Sequence, residues 1–82
     1  MDFNRFHSQD QLMGKNMTLG LNGMKYFFNS KFTILELIDY LGFNKNVIVI
    51  DYNGILLEKG NWKKTILRNG DSLEIFSIAG GG

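Results

Sequence analysis

The chain has 82 residues, a hydrophobic fraction of 44% and a formal net charge of +1, which indicates one small globular domain and removes the main electrostatic argument for nucleic acid or an anionic membrane as a partner. Because it contains no cysteine and a single histidine, His7, a disulfide framework, a thiolate nucleophile and a cysteine or multi-histidine metal site are excluded. No apolar run approaches the roughly 20 residues that cross a bilayer, and these exclusions favour a cytoplasmic protein without a metal or cofactor.

Residues 1–16 show no hydrophobic period. They mix polar residues with Phe3, Phe6 and Leu12, and they lack the apolar centre of a signal peptide. We therefore predict a flexible N-terminal extension over residues 1–16, a folded domain over residues 17–79 and a flexible glycine tail over residues 80–82.

The folded domain is predicted to begin with a β-hairpin. Strands over Met17–Leu21 and Met24–Phe28 flank the dipeptide Asn22-Gly23. This dipeptide is typical of a type I′ turn, whose two central residues need positive φ.

A short helix is predicted over Ile34–Leu41. Thr33 and Glu36 have the spacing of a capping box, and Gly42 stands where a left-handed residue ends a helix. One apolar stripe repeats at the helical period and is made of Ile34, Leu37, Ile38 and Leu41. We expect this stripe to cover one face of a sheet.

The second half of the chain is predicted to be three strands. Continuous β-branched residues at 47–51 indicate a strand buried on both sides, and Asn53-Gly54 is a second turn signal before a short strand at 55–58. A connection through Trp62 to Arg68 leads to a turn at 69–71 and a last strand at 72–78. The order β-β-α-β-β-β indicates an α+β fold, the ubiquitin-like β-grasp. Its four- to five-stranded mixed sheet has the helix across one face and the last strand central, parallel to the first.

Large apolar side chains exceed what one small core holds if strands alternate faces. They are Tyr26, Phe28, Phe32 and Phe76. Two interpretations stay open: an exposed apolar face that binds a partner, or burial of several of them by the extension or the hairpin.

Polar residues elsewhere have structural interpretations. Asp71 after Gly70 is typical of a turn residue that bonds its own backbone. Trp62 and its following lysines resemble a solvated connector with an aromatic pinned to the domain edge more than a nucleic-acid clamp. Glu36 and Asp39 share a helix, but no base, nucleophile or pocket accompanies them, so a paired-carboxylate enzyme is not supported.

The last five residues of the sequence are Ile78-Ala79-Gly80-Gly81-Gly82. Glycine has no Cβ and is expensive to fix in one conformation, and the four residues after Ile78 reach about 13 Å when extended. The stretch is either a frayed terminus or a carboxylate on a thin stalk that threads into another protein's active site. The residue types alone leave both interpretations open.

From residue 17 to residue 82 the sequence resembles the ThiS family, the ubiquitin-like sulfur carrier proteins of thiamine biosynthesis. The early matches are Leu21-Asn22-Gly23, Thr33-x-x-Glu36-Leu37-x-x-x-Leu41-Gly42 and Val47-Ile48-Val49. The more specific match is Trp62-x-x-Thr65-x-Leu67-x-x-Gly70-Asp71-x-Leu73-Glu74-Ile75, which a glycine end completes. The chain departs from the family in lacking a Pro-Arg pair before Trp62 and in ending on three glycines instead of two.

This resemblance implies a carrier and not an enzyme. An E1-like adenylating enzyme of the ThiF type would activate the Gly82 carboxylate, with Gly80 and Gly81 passing through its channel. A sulfur-donor persulfide protein would then supply the sulfur of a terminal thiocarboxylate, and thiazole synthase of the ThiG type would take it up. Two alternatives remain: a related carrier of molybdopterin synthesis, and a β-grasp interaction module whose glycines are inert.

Overall fold

The computed structural model describes residues 6–7 and 17–78 of the chain. The strands are β1 (Phe6–His7), β2 (Met17–Leu21), β3 (Met24–Phe28), β4 (Ile48–Tyr52), β5 (Ile55–Leu57) and β6 (Asp71–Ser77). Helix α1 spans Ile34–Leu41, and two 3₁₀ helices span Lys45–Val47 and Lys59–Lys64.

These strands form one mixed sheet in the order β1-β3-β2-β6-β4-β5. The first long strand, β2, is parallel to the last strand, β6, in the register Leu19 to Asp71. The β2–β3, β4–β5 and β4–β6 pairs are antiparallel. This is the β-grasp arrangement that the element order predicts, with the last strand inside the sheet.

Both ends of α1 have the predicted caps. The Thr33 hydroxyl accepts a hydrogen bond from the Glu36 amide at 3.0 Å, and the Thr33 amide donates to the Glu36 carboxylate at 2.8 Å. Gly42 has φ +82°, and its amide donates to the Ile38 carbonyl at 3.0 Å. The capping box and the left-handed ending therefore bound the helix as predicted.

The core lies between α1 and one face of the sheet. The fully buried side chains on α1 are Ile34, Leu37 and Ile38, and they contact a sheet face that contains Leu19, Phe28, Ile50 and Leu73. The apolar stripe predicted for α1 is thus the helix side of the core.

The prediction for the strand at 47–51 was partly wrong. Val47 belongs to the preceding 3₁₀ helix, and β4 begins at Ile48. Ile48 and Ile50 are buried, but Val49 and Asp51 are only half-buried. The physical reason is that α1 covers a single face of the sheet, so alternate residues of β4 point to the other face, which we call the outer face.

Trp62 also differs from the expectation. It lies in the core with 2% of its surface exposed, and its indole N–H donates to the Leu57 carbonyl at 3.1 Å. It is therefore not pinned at the domain edge. The 3₁₀ helix that contains it closes the core beside α1, while Lys63 and Lys64 stay exposed.

A strand lies within the predicted N-terminal extension. Phe6 and His7 form β1 and pair antiparallel with Phe28 and Phe27 at the edge of β3. Two residues without a hydrophobic period carry no strand signal in the sequence. The flexibility predicted for the rest of residues 1–16 lies outside the described residues.

The surplus of aromatic residues is resolved by their positions. Phe28 and Phe32 are buried, with ring centroids 6.3 Å apart, and Tyr26 packs against the core. Phe76 points to the outer face and is 49% exposed. One aromatic residue of the four is thus left on the surface that α1 does not cover.

We predict that Leu37→Ala lowers the free energy of unfolding by about 2–5 kcal/mol, because it removes a fully buried side chain and leaves a cavity. Urea unfolding followed by circular dichroism measures the loss. The matched control is Ile55→Ala, since Ile55 is 70% exposed, and it should change stability by less than about 0.5 kcal/mol. Equal losses in the two variants would contradict the described core.

Candidate functional site

The candidate site is the root of the glycine tail at the end of β6. The strand lies between β2 and β4, and just beyond it the Ile78 amide donates to the Val47 carbonyl at 2.7 Å. The backbone is therefore held by hydrogen bonds up to Ile78. Gly80, Gly81 and Gly82, the residues predicted to carry and thread the reactive end, lie outside the described residues.

The turn between β2 and β3 is hydrogen-bonded to β6 through Asn22. Asn22 has φ +50° and Gly23 has φ +86°, as a type I′ turn requires. The Asn22 amide donates to the Leu73 carbonyl at 2.9 Å, and its side-chain oxygen accepts from the Ile75 amide at 2.7 Å. One turn residue thus satisfies two backbone groups of β6 beyond the end of β2.

The turn between β4 and β5 repeats this arrangement on the opposite side of β6. Asn53 has φ +52°. Its amide donates to the Ser72 carbonyl at 2.8 Å, and its side-chain oxygen accepts from the Ser72 amide at 2.7 Å. The two Asn-Gly turns were predicted as turns; their bonds to β6 are an additional role that the dipeptide signal does not contain.

Asp71 fixes the first residue of β6. Its carboxylate accepts three hydrogen bonds. The donors are the Tyr52 hydroxyl at 2.7 Å, the side-chain amide of Asn53 at 3.1 Å and the backbone amide of Arg68 at 2.7 Å. The residue is 8% exposed, so these bonds offset the loss of hydration of a charged group. The bond from the Arg68 amide confirms that Asp71 is a turn residue that bonds nearby backbone. The bonds from Tyr52 and Asn53 also connect Asp71 to β4 and to the turn that follows it.

The surroundings of Tyr52 raise the pKa of its hydroxyl group. Burial raises the pKa of Tyr52 above its ordinary value of 10.0, and the hydrogen bond to Asp71 and the negative charge of Asp71 raise it further, while Arg68 acts in the opposite direction. Each contribution that raises the pKa favours the neutral phenol, which is the form that donates to Asp71.

Both carboxylates of α1 have structural partners. Glu36 completes the capping box, and Asp39 forms a salt bridge of 2.7 Å with Lys45. Within residues 6–7 and 17–78, no three His, Cys, Asp or Glu side chains are grouped to hold a metal ion. The buried Trp62 ring is not available to stack on a base, so the arrangement of its neighbouring lysines does not support a nucleic-acid clamp.

In the described part of the chain, no helix is both long and apolar enough to cross a bilayer.

A central last strand, held from both sides and continuing into a glycine tail, defines the chain as a ubiquitin-like β-grasp protein. The chain belongs to the ThiS family, whose model matches residues 11–82. The match begins six residues before the predicted start of the domain at residue 17 and continues through the glycine tail.

The chain is also similar to a solved structure and to uncharacterized proteins. The thiamine biosynthesis protein ThiS from Geobacter metallireducens superposes with a TM-score of 0.71 at 26% identity, covering 80% of this chain and 100% of that one. The uncharacterized protein ycf40 of Trieres chinensis is 35% identical over 65 residues, covering 79% of this chain and 89% of the relative. The ycf40 protein of Porphyra purpurea is 31% identical over 71 residues, covering 87% of this chain and all of the relative.

We predict that Asn22→Gly destabilises the protein by about 1–3 kcal/mol, because the Ile75 amide loses its acceptor in a buried position. Glycine keeps the positive φ of the turn, so the loss reports the side-chain bond. Amide hydrogen exchange at Ile75 should accelerate in the same variant. Asn29→Gly, in an exposed loop, is the control and should leave both the stability and the exchange at Ile75 nearly unchanged.

We predict that the protein becomes less stable as the pH rises into the alkaline range, because the Tyr52–Asp71 bond is lost. Because the folded pKa of Tyr52 is above 10.0, the unfolded chain loses this proton first, and the contribution of the bond disappears as the pH rises from the unfolded pKa through the folded pKa. Urea unfolding of wild type and Tyr52→Phe between about pH 9 and pH 11.5 measures the difference. The stability difference between the two proteins should shrink with rising pH; a constant difference would contradict the assignment.

Proposed function

We propose that this chain is a sulfur carrier of thiamine biosynthesis and not itself a catalyst. Its Gly82 carboxylate is adenylated, converted to a thiocarboxylate and used as the sulfur source of thiazole synthase. The observation that carries the proposal is the attachment of the glycine tail to a central strand whose backbone is bonded up to Ile78. Membership of the ThiS family and the likeness to the Geobacter metallireducens protein support it.

The residue types of the tail match this chemistry. A carboxylate is a poor electrophile until it becomes a mixed anhydride, which forms when the Gly82 carboxylate attacks the α-phosphate of ATP and pyrophosphate leaves. The persulfide sulfur of a donor protein then attacks the acyl carbon and displaces AMP. Cleavage of the remaining S–S bond by a thiol leaves the thiocarboxylate on Gly82.

Glycine at the last three positions serves the approach to the enzyme. Without a Cβ, Gly80 and Gly81 pass through a channel that a larger residue would block, and the Gly82 carbonyl is open to attack from both sides. The anchored strand fixes the point at which the tail leaves the domain. A tail that starts from a fixed point samples a smaller volume, and this raises the effective concentration of its end at the partner's site.

Three partners follow from the proposal. They are an E1-like adenylating enzyme of the ThiF type, a persulfide-bearing sulfur donor and a thiazole synthase of the ThiG type. ATP enters as a substrate of the adenylating enzyme and not as a cofactor of the carrier. We place the carrier and these partners together in the cytoplasm.

We predict that Gly81→Ala lowers the rate of adenylation by about tenfold or more, equivalent to about 1.4 kcal/mol of barrier, because the added methyl group obstructs the channel. Pyrophosphate release with a purified adenylating enzyme measures the rate. Urea unfolding should be unchanged. Ser77→Ala, an exposed position before the tail, is the matched control, and equal rates in both variants would contradict the steric argument.

Mass spectrometry tests the proposal as a whole. Incubation with ATP, the adenylating enzyme and a sulfur donor should add the mass of one oxygen-to-sulfur exchange, located on Gly82 by fragmentation. An unmodified chain would indicate an interaction module with inert glycines. Sulfur delivery to molybdopterin synthase in place of thiazole synthase would assign the chain to the other pathway.

A further inference from the structure

Positive charge is concentrated on the segment that joins β5 to β6. Residues 59–70 contain no acidic residue, although the formal net charge of the whole chain is only +1. The same segment has four basic residues, which are Lys59, Lys63, Lys64 and Arg68. This uneven distribution gives one surface a positive potential in a molecule that is nearly neutral as a whole.

Two of these lysines lie on the rim of a depression beside α1. The depression has a volume of about 310 Å³ and a mainly apolar lining, and the residues around it are Leu35, Lys45, Lys59, Gly60, Trp62 and Lys63. Trp62 is buried and Leu35 is half-buried, whereas Lys59 and Lys63 are exposed. The apolar side chains therefore form the floor and the lysines form the rim. We call it the Trp62 depression.

The charge of the rim is only partly neutralised. Lys45 forms its salt bridge with Asp39. Lys59 donates to the side-chain oxygen of Asn46 at 2.9 Å, which is a neutral acceptor and leaves the charge in place. Lys63 has no hydrogen bond or ion pair with any residue in the described ranges. Two ammonium groups are thus available to carboxylates of a partner.

The form of the depression favours a protein as its occupant. An apolar centre inside a charged rim is the usual anatomy of a protein interface. Small-molecule pockets enclose most of their ligand, but this depression is open to solvent. A membrane contacts groups that project from a protein, whereas a depression is filled by a side chain that projects from the partner. The buried Trp62 ring has no free face for a nucleic-acid base.

The depression is close to the root of the glycine tail. Lys59 is bonded to Asn46, and the next residue, Val47, accepts the hydrogen bond from the Ile78 amide. A protein that binds the rim is therefore next to the point where the tail leaves the domain. Since Leu35 is on α1, the depression lies on the helix side of the sheet and the outer face stays uncovered.

We propose that the Trp62 depression binds an acidic segment of a partner protein. One large apolar side chain of that segment contacts Leu35 and Trp62, and the carboxylates beside it pair with Lys59 and Lys63. Exposed ion pairs add little affinity by themselves, so the apolar contact supplies affinity and charge complementarity selects the occupant. This inference goes beyond the proposed function, because it assigns a binding surface that does not include the glycine tail.

Nuclear magnetic resonance of the isotope-labelled full chain tests the proposal. The probe is a short synthetic peptide in which one leucine is flanked on both sides by glutamates. Trp62 is the only tryptophan of the chain, so its indole N–H gives a single signal from the floor of the depression. That signal and the amide signals of Leu35 and Gly60 should shift until they saturate, while the amide signals of Glu74 and Phe76 on the outer face should stay in place.

Two changes in the peptide separate the contributions of charge and apolar contact. Glutamines in place of the glutamates remove the charge, and an asparagine in place of the leucine removes the apolar side chain. Each change should weaken binding by about tenfold or more. Equal binding of the glutamine peptide would contradict the proposal, and so would unchanged signals of Trp62, Leu35 and Gly60 with the original peptide.

A charge reversal on the rim gives the corresponding test on the protein. Lys63→Glu should weaken peptide binding by about tenfold and reduce its salt dependence, because an attractive charge becomes a repulsive one. The matched control is Lys25→Glu, which makes the same change in net charge on β3 and should alter binding by less than about twofold. Urea unfolding of both variants confirms that each is folded.

Two other probes distinguish other classes of partner. Vesicles of phosphatidylglycerol and phosphatidylcholine test a membrane surface, and a single-stranded oligonucleotide tests a nucleic acid. If either one shifts the Trp62 signal of wild type and the peptide does not, the depression binds that class and the proposal is wrong. None of these measurements involves adenylation, so the proposed role of Gly82 is tested separately.

Discussion

The hydrogen bonds that β6 receives from both of its neighbours are the interaction on which the rest of the molecule depends. β2 joins it in parallel and β4 in antiparallel orientation. At the ends of those ladders Asn22 and Asn53 continue the bonding with a backbone amide and a side-chain oxygen each. A strand satisfied on both sides has few ways to slip in register, because a one-residue shift would expose its buried row.

The two faces of this sheet differ in composition and burial. The face under α1 contains the apolar side chains that stabilise the fold, together with the buried indole of Trp62. The outer face has a glycine, two opposed carboxylates and a half-exposed Phe76, none of which contributes much burial. The apolar residues that stabilise the fold therefore lie on one side of the sheet, and residues on the outer face are free of the packing constraints of the core.

Local signals in the sequence predicted most of the fold. The Asn-Gly turns, the capping box of α1 and the positions of the five longer strands depend on residues close in sequence, and they are confirmed with shifts of one or two residues. The central, parallel last strand followed from the order of the elements. The glycine tail was the predicted site, and its residues are outside the described ranges, so its role stays a proposal.

What the sequence did not show depends on distant partners. The bond from Ile75 to Asn22 joins residues 53 positions apart, and no local pattern encodes it. Trp62 lies in a polar segment, so only the assembled core shows that it is buried. The continuous β-branched run of β4 resembled a doubly buried strand, but coverage of the second face is a property of the whole domain. The two-residue strand β1 has no signal apart from its pairing with β3.

The central place of the last strand ties the closing of the sheet to the synthesis of Asp71–Ser77. In the sheet, the β2–β3 and β4–β5 hairpins meet only through β6, and isolated hairpins are marginal in water. During synthesis both hairpins are made before β6, so the sheet closes only once the last strand has been added. A copy that stops before Asp71 lacks the strand that joins the two hairpins, so its sheet stays open. Since the residues after β6 are made last, a chain that carries them also has every strand of the sheet.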